Sequence, residues 1–304
     1  LDFSTPHSGE AVKGADAVIY SSAIRSTNPA FSEALAQKIA TFRRAECLAA
    51  ILHTKAGVVV SGTHGKTTTS AMIAHILRQG DLMPCHYVGA EIPVLGSNAE
   101  WNQDGEYLVA EGDESDGTLA LYHPKHAIVL NVEEEHLDHY TRGIAQIREV
   151  FYNLLNQTSG SIFYCRECEE ATQLCGIRDN SISYGWKEAD WTATDLSGQI
   201  GTVSFTVNHK GEELGRVQLG IPGLHNVLNA LGAIAVASSC GVDFSKMNQA
   251  LSSFAGAKRR FETKHLSKRY RIVDDYGHHP TEVAATLQTA RSYEPGRVIV
   301  LFQP

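Results

Sequence analysis

The chain has 304 residues, of which 43% are hydrophobic and 20% charged, and it carries a net charge of −8. That length gives core enough for about two or three domains. The acidic balance argues against a non-specific nucleic-acid binder, so an anionic ligand has to be held by local groups. No apolar run approaches ~20 residues, which excludes a transmembrane helix. The sequence shows no basic-then-apolar leader, which points to the cytoplasm.

Taken in order, Asp16-Ala17-Val18-Ile19-Tyr20 reads as a buried strand ending at Ser21-Ser22. A helix with Pro29 near its start carries Phe31, Leu35 and Ile39 at helical spacing, and a second helix covers residues 43–52. The β-branched run Val58-Val59-Val60 is a strand, followed by a glycine-bounded turn and a helix over residues 67–79. Tyr107-Leu108-Val109-Ala110 and Ala127-Ile128-Val129-Leu130 are two further apolar runs. Continuous apolar runs separated by helices predict a parallel sheet covered on both faces, with ligands gathering beyond the carboxyl ends of its strands.

Residues 181–222 change character: Trp191, Val203, Phe205, Val207 and Val217 alternate with polar residues, and Asn208-His209-Lys210-Gly211 signals a turn. This predicts an antiparallel hairpin appended to the parallel sheet. A helix follows over residues 225–239, then another helix, and Ala257-Lys258-Arg259-Arg260-Phe261-Glu262 reads as a linker. Residues 271–275 open a new strand, Pro280 starts a helix running to about Ser292, and residues 298–302 form the next strand. The sequence opens on Leu1 and stops where a βα turn should begin, so the chain reads as a fragment. Of the cysteines at 47, 85, 165, 168, 175 and 240, only Cys165 and Cys168 have metal or redox spacing; with no second pair, all read as reduced thiols.

Three polar clusters follow three strands. Gly62-Thr63-His64-Gly65-Lys66-Thr67-Thr68-Thr69 has the logic of a phosphate cradle: glycines admit an anion to the backbone and a helix N-terminus adds its dipole. Lys66 would reach the outer phosphates and the Thr67 hydroxyl would ligate Mg²⁺. Val60 stands where the usual spacing has its first glycine. An ordinary strand-to-helix turn is the alternative, but the order of strand, turn, Lys-Thr and amphipathic helix favours a nucleotide site. Glu111-Gly112-Asp113-Glu114-Ser115-Asp116 is either a solvated loop or a source of a metal carboxylate, with Glu111 best placed. His136 and His139, with Glu135 and Asp138, suit a metal or a reacting group, or else a surface helix start.

Further along, Asn226 and Asn229 could cap a helix or read an adenine edge, and residue chemistry does not separate the two. Arg259 and Arg260 are a solvated linker or supply a guanidinium to ribose or phosphate. Asp274-Asp275-Tyr276-Gly277-His278-His279 reads as site rather than core, because unpaired buried aspartates are costly.

Together these motifs, with Pro222-Gly223-Leu224-His225-Asn226 and Arg259-Arg260-Phe261-Glu262, resemble the Mur ligase family over nearly the whole chain. These ligases use the Gly-Thr-x-Gly-Lys-Thr form of the loop, which accounts for Val60. The resemblance implies an α/β chain with a central P-loop-type parallel sheet and appended hairpin, flanked by partial Rossmann-like domains. Its divisions would be 1–53 for the UDP-sugar domain, 54–262 for the ATP domain and 263–304 for the start of the amino-acid domain. It implies ATP on Gly62, Thr63, His64, Gly65, Lys66, Thr67 and Thr68, with Asn226 and Asn229 at adenine and Arg260 and Asp275 near ribose and phosphates. Thr67, Glu111 and His136 are similar to the magnesium ligands. Ser21 and Ser22 resemble sugar-nucleotide contacts, and His278 and His279 resemble substrate contacts. Lys66, Glu111, His136 and His279 form the implied catalytic set, with His279 as the base for the incoming amine.

The implied reaction, in a bacterial cytoplasm, is ATP-driven addition of L-alanine to the lactyl carboxylate of UDP-N-acetylmuramate through an acyl phosphate. Addition of a murein tripeptide to the same acceptor, or nucleotide binding without turnover, are the alternatives. Tyr276 and Phe261 favour L-alanine, because the tripeptide enzymes tend to carry Phe and Leu there. Glu134-Glu135 departs from the family's Pro-Asp before the histidine.

Overall fold

A computed structural model of the chain describes residues 5–21, 23–115, 117–135, 140–198 and 201–303. The chain divides into two units, Leu1–Thr54 and Lys55–Pro304. In the first, a 3₁₀ turn (Gly9–Val12) precedes β1 (Ala17–Tyr20), α1 (Pro29–Ala36), β2 (Ala40–Arg43) and α2 (Arg44–Leu52). Asn28 caps α1, its side chain accepting the N–H groups of Ala30 and Phe31, and Pro29 follows in the first helical turn. The spacing of Phe31, Leu35 and Ile39 predicted a longer helix. Instead the chain leaves α1 and turns at Lys38, which has a left-handed φ of 57°. Residues 40–43 then pair in parallel with β1, Ala17 opposite Ala40 through Tyr20 opposite Arg43. A ladder to a distant strand outweighs local helical spacing here.

The second unit holds β3 (Ala56–Ser61), α3 (Lys66–Gln79), β4 (Cys85–Tyr87), β5 (Ala99–Glu100), β6 (Tyr107–Gly112), a 3₁₀ turn (Thr118–Leu121) and β7 (His126–Val129). There follow α4 (Ile144–Asn156), β8 (Ile162–Cys165), α5 (Glu169–Cys175), β9 (Ser181–Gly185), β10 (Trp191–Ser197), β11 (Val203–His209) and β12 (Glu212–Leu219). Next come α6 (Leu224–Ser239), α7 (Phe244–Ser253), β13 (Glu262–Leu266), β14 (Arg271–Asp274) and α8 (Pro280–Arg291). Ten strands form one sheet in the order β12-β11-β10-β9-β8-β7-β3-β6-β4-β5. From β4 to β10 the neighbours are parallel; β11 is antiparallel to both β10 and β12, and the short β4–β5 pair is antiparallel as well.

The parallel sheet and its antiparallel extension are as the apolar runs predict. The extension differs in detail: β9 belongs to the parallel part, and the antiparallel part has three strands. The turn from β11 to β12 is the predicted one, with Lys210 at φ 50°.

Alternation along the strands builds two cores. Val58, Val60, Val109, Ile128, Leu130 and Phe163 pack in one cluster with buried residues of α3, α6 and α7. Val59, Ala110 and Val129 lie outside that cluster yet are fully buried. On their side the 3₁₀ turn at Thr118–Leu121 and α4 cover the sheet. All six cysteines are free thiols.

At the C-terminal end, β13 and β14 pair antiparallel, so the expected linker runs into a strand at Glu262. Helix α8 begins at Pro280 as predicted, but residues 298–302 do not form the expected strand. Ile299 and Leu301 are 72% and 98% exposed: a β-branched run with no neighbouring strand has no ladder to join.

Candidate nucleotide and metal site

The order of the sheet places the site. From β3 the chain runs through β4 and β5 back to β6 on one side and then to β7 on the other, making β3 a switch point whose carboxyl end opens as a crevice. Ser61, at the end of β3, donates its hydroxyl to the Ile128 carbonyl at 3.0 Å, tying β3 to β7 where the loop departs. Gly62 and Gly65 take φ values of 139° and 85°. A Cβ at Gly62 would lie 3.0 Å from the Asn131 backbone, and one at Gly65 would lie 2.9 Å from Asn229 Oδ1. Both positions therefore require glycine.

The segment after β7 frames the loop. His64 N–H donates to Asn131 Oδ1 at 2.8 Å, Asn131 Nδ2 returns a bond to the His64 carbonyl at 3.1 Å, and Glu133 N–H donates to Thr63 Oγ1 at 2.9 Å. Lys66, Thr67 and Thr68 form the first turn of α3, whose N–H groups have no intrahelical acceptor and favour an anion.

Lys66 Nζ sits 2.9 Å from Glu114 Oε2 and donates to the Gly62 and Thr63 carbonyls at 2.6 and 3.2 Å. Glu114 is only 3% exposed. Burial pushes its carboxyl up, and the Lys66 ammonium offsets this in part. Beside this pair, Thr67 Oγ1 donates to Glu111 Oε2 at 3.2 Å, and the other Glu111 oxygen accepts the Gly89 N–H. Burial lifts the Glu111 carboxyl too, against the Gly89 and Thr67 bonds and the charges of Lys66 and Arg260. A hydroxyl and a partly buried carboxylate in contact are oxygen donors suited to Mg²⁺, and a dication would relieve the cost of ionising Glu111. His136, the third expected ligand, lies outside the described residues, as does Ser22.

A cleft alongside is lined by Gly65, Thr68, Asn226, Asn229, Arg260 and Asp275, among others. The helix-cap reading of the asparagines does not hold. Gly223 is the N-cap of α6; Asn226 Nδ2 donates to the Pro222 carbonyl at 2.6 Å and Asn229 Nδ2 to Asn226 Oδ1 at 3.2 Å. Arg259 and Phe261, on either side of Arg260, take φ values of 60° and 50°. Asp275 holds this bend, accepting the Phe261 and Gly277 N–H groups at 2.8 and 2.7 Å. The Arg260 guanidinium lies 5.5 Å from the Tyr276 ring centroid and 3.3 Å from Glu282.

His64 joins the loop to α8. Its Nδ1 is 3.4 Å from Glu282 and its Nε2 is 3.4 Å from Glu133, while Thr281 Oγ1 donates to Glu133 at 2.8 Å. Burial alone would lower the His64 pKa, but Glu282 and then Glu133 hold it above its ordinary value. Glu282, despite burial, is held down to about 2 by its bond to His64 and by the charge of Arg260.

His64 contributes stability that is full below its ordinary value of 6.5 and is lost as pH rises through its raised pKa. Glu282 contributes above its ordinary 4.5 and loses that only in strong acid. Glu282→Gln is therefore expected to be less stable than the parent chain at about pH 6, with the gap narrowing by about pH 8. Denaturant melts at both values check this, and an unchanged gap would contradict it.

Of the other expected residues, His279 caps α8 with Nδ1 3.5 Å from Glu133. His278 is more exposed, 3.8 Å from both Glu135 and Glu282. Ser21 follows β1 in the N-terminal unit, its carbonyl accepting the Ile24 N–H at 3.0 Å. Asn131, Glu133 and Glu282 were not singled out by the sequence, and Glu114 only as one member of the acidic cluster. Asn131 and Glu133 directly follow a strand beside the loop strand, a signal that could have found them; Glu282 sits one turn into a helix, where an acidic residue is commonplace.

The fold and the loop define an α/β protein with a glycine loop and a helix N-terminus, suited to an anion, at the crevice of its switch point. Residues 60–237 match the Mur ligase middle domain and residues 259–304 the Mur ligase glutamate ligase domain. The chain belongs to the Mur ligase family. It is 40% identical, over 98% of its length, to a UDP-N-acetylmuramate–L-alanine ligase of Geobacter sulfurreducens, of which it spans 65%. Among solved structures, the UDP-N-acetylmuramate–alanine ligase of Thermotoga maritima superposes with a TM-score of 0.85 at 30% identity, covering 95% of this chain and 66% of that one. The UDP-N-acetylmuramate:L-alanyl-γ-D-glutamyl-meso-diaminopimelate ligase from Neisseria meningitides gives 0.75 at 25% identity, covering 83% of each chain. Among the described residues no helix is long and apolar enough to cross a membrane.

Proposed function

We propose that this chain carries out ATP-dependent addition of L-alanine to the lactyl carboxylate of UDP-N-acetylmuramate, a step in peptidoglycan precursor synthesis. The observation that carries the reading is the pairing of Lys66 with Glu114 and of Thr67 with Glu111 at the head of α3. These pairings support a phosphate site with a metal site beside it. Greater identity to L-alanine ligases than to the tripeptide enzyme supports the amino acid.

In this reading residues 1–53 belong to the sugar-nucleotide domain, 54–262 to the ATP domain and 263–304 to the amino-acid domain. Ser21 and Ser22 then contact the sugar nucleotide, and His278 and His279 the acceptor end. Gly62, Thr63, His64, Gly65 and Thr68 surround the phosphates, Asn226 and Asn229 hold adenine, and Arg260 and Asp275 flank ribose. Thr67, Glu111 and His136 would hold Mg²⁺, which supplies charge neutralisation between two anions that must meet.

Lys66 exchanges Glu114 for the γ-phosphate and steadies the charge developing there. The lactyl carboxylate attacks the γ-phosphorus, the bond to ADP breaks, and an acyl phosphate results. The neutral amine of L-alanine then attacks the acyl carbon, phosphate leaves, and His279 takes the surplus proton. Calorimetry with ATP and Mg²⁺ tests the site: binding that is lost in Lys66→Ala supports it, and binding indifferent to Lys66 would refute it.

A further inference from the structure

The imidazoles of His64 and His279 lie with centroids 4.5 Å apart. Glu133 reaches both: its Oε2 is 3.4 Å from His64 Nε2 and 3.5 Å from His279 Nδ1. One atom from each of the three side chains falls within 4.8 Å of the others. We propose that His64, Glu133 and His279 form a transition-metal site, preferring Zn²⁺ to Mg²⁺, that pins the phosphate loop to the segment after β7 and to the start of α8.

The donor set argues for this. Two imidazole nitrogens and a carboxylate oxygen suit Zn²⁺, whereas Mg²⁺ takes oxygens and keeps its waters. Ligand atoms about 2.0–2.1 Å from a tetrahedral ion lie about 3.3 Å from one another. Two edges of the triangle are already near that length; turning the His279 imidazole toward His64 closes the third, and its Nδ1 then exchanges the Thr281 N–H that it accepts at 3.4 Å for the ion.

The surroundings orient two of the three donors, His64 and Glu133, as zinc sites require. Glu282 lies 3.4 Å from His64 Nδ1 and can hold the N–H there, so that Nε2, which meets Glu133 at 3.4 Å, is the nitrogen a metal would take in place of a proton. Arg260, at 3.3 Å, and the His278 N–H, at 3.2 Å, fix Glu282 in turn. Thr281 fixes Glu133 at 2.8 Å. The three ligand side chains are 12%, 32% and 20% exposed, so an ion can enter from solvent. The site is separate from the Thr67–Glu111 pair, whose donors are oxygens, and three protein ligands leave a coordination position open; an ion on His279 Nδ1 leaves that imidazole no lone pair for the amine's proton, so metal binding and the base role exclude one another there.

The test needs no nucleotide, so its outcome is independent of the ligase reading. The 304-residue chain is titrated with Co²⁺, followed by its visible absorption band, and Zn²⁺ is then added in competition. The expected result is one ion per chain, a tetrahedral Co²⁺ spectrum abolished by Zn²⁺, and no displacement by excess Mg²⁺. His279→Ala and Glu133→Gln should each weaken Zn²⁺ binding by about 100-fold, and Glu282→Gln by about 10-fold. His278→Ala and Cys168→Ser should leave it unchanged. Melting each metal-free variant checks folding, and Glu133→Gln, which keeps the side-chain shape, decides the matter if His279→Ala unfolds. No binding, binding that survives Glu133→Gln, or binding lost in Cys168→Ser would overturn the proposal.

Discussion

Lys66→Ala is expected to lower ATP-dependent turnover by about 10²–10³-fold or more, the scale of losing one charged group aimed at the reacting centre. It should also change stability in a way that reports on Glu114. That carboxylate is 3% exposed and has the Lys66 ammonium at 2.9 Å, with a pKa already raised by burial. Removing the cation raises it further. A carboxyl with a raised folded pKa destabilises the fold increasingly as pH climbs above its unfolded value. The variant's stability deficit should therefore be small near about pH 5 and larger near about pH 8. Lys66→Ala/Glu114→Gln should recover the stability and not the turnover. Phosphate-release assays and urea melts at both pH values separate the two effects; parent-like turnover in Lys66→Ala would remove its phosphate role.

Glu111→Gln should raise the Mg²⁺ concentration for half-maximal activity by about tenfold or more, a change of about 1.4 kcal/mol or greater. Glutamine keeps the shape: its Oε1 can still accept the Gly89 N–H, while its Nε2 stands where the second oxygen was and donates to Thr67 Oγ1 instead. It loses the charge and one metal-facing oxygen. Because burial lifts the Glu111 pKa, protons compete with the metal, and the parent chain should need more Mg²⁺ as pH falls while the variant does not. A metal titration identical in both chains would move the ligand elsewhere.

Much of this site was legible because its signals are local. Val58-Val59-Val60, two glycines and Lys-Thr follow one another along a few residues, and each apolar run ends where its polar cluster begins. The structure brings those clusters to one crevice, Thr67 against Glu111 and Thr63 against Glu133. What escaped the sequence depends on distant partners. β2 and β13 are strands because β1 and β14 pair with them, and nothing in their own residues says so. The converse error, a strand over 298–302, came from a β-branched run with nothing to pair with. Glu133 and Thr281 meet across 148 positions, and Glu282 gains its meaning only from His64 and Arg260.

The central claim is tested most directly by phosphate release from ATP and Mg²⁺ in the presence of UDP-N-acetylmuramate, comparing L-alanine, glycine, tripeptide and no amine. The expected result is release that requires both the sugar nucleotide and L-alanine. Release with tripeptide alone, release without any amine, or no release from a chain that binds ATP would contradict the account.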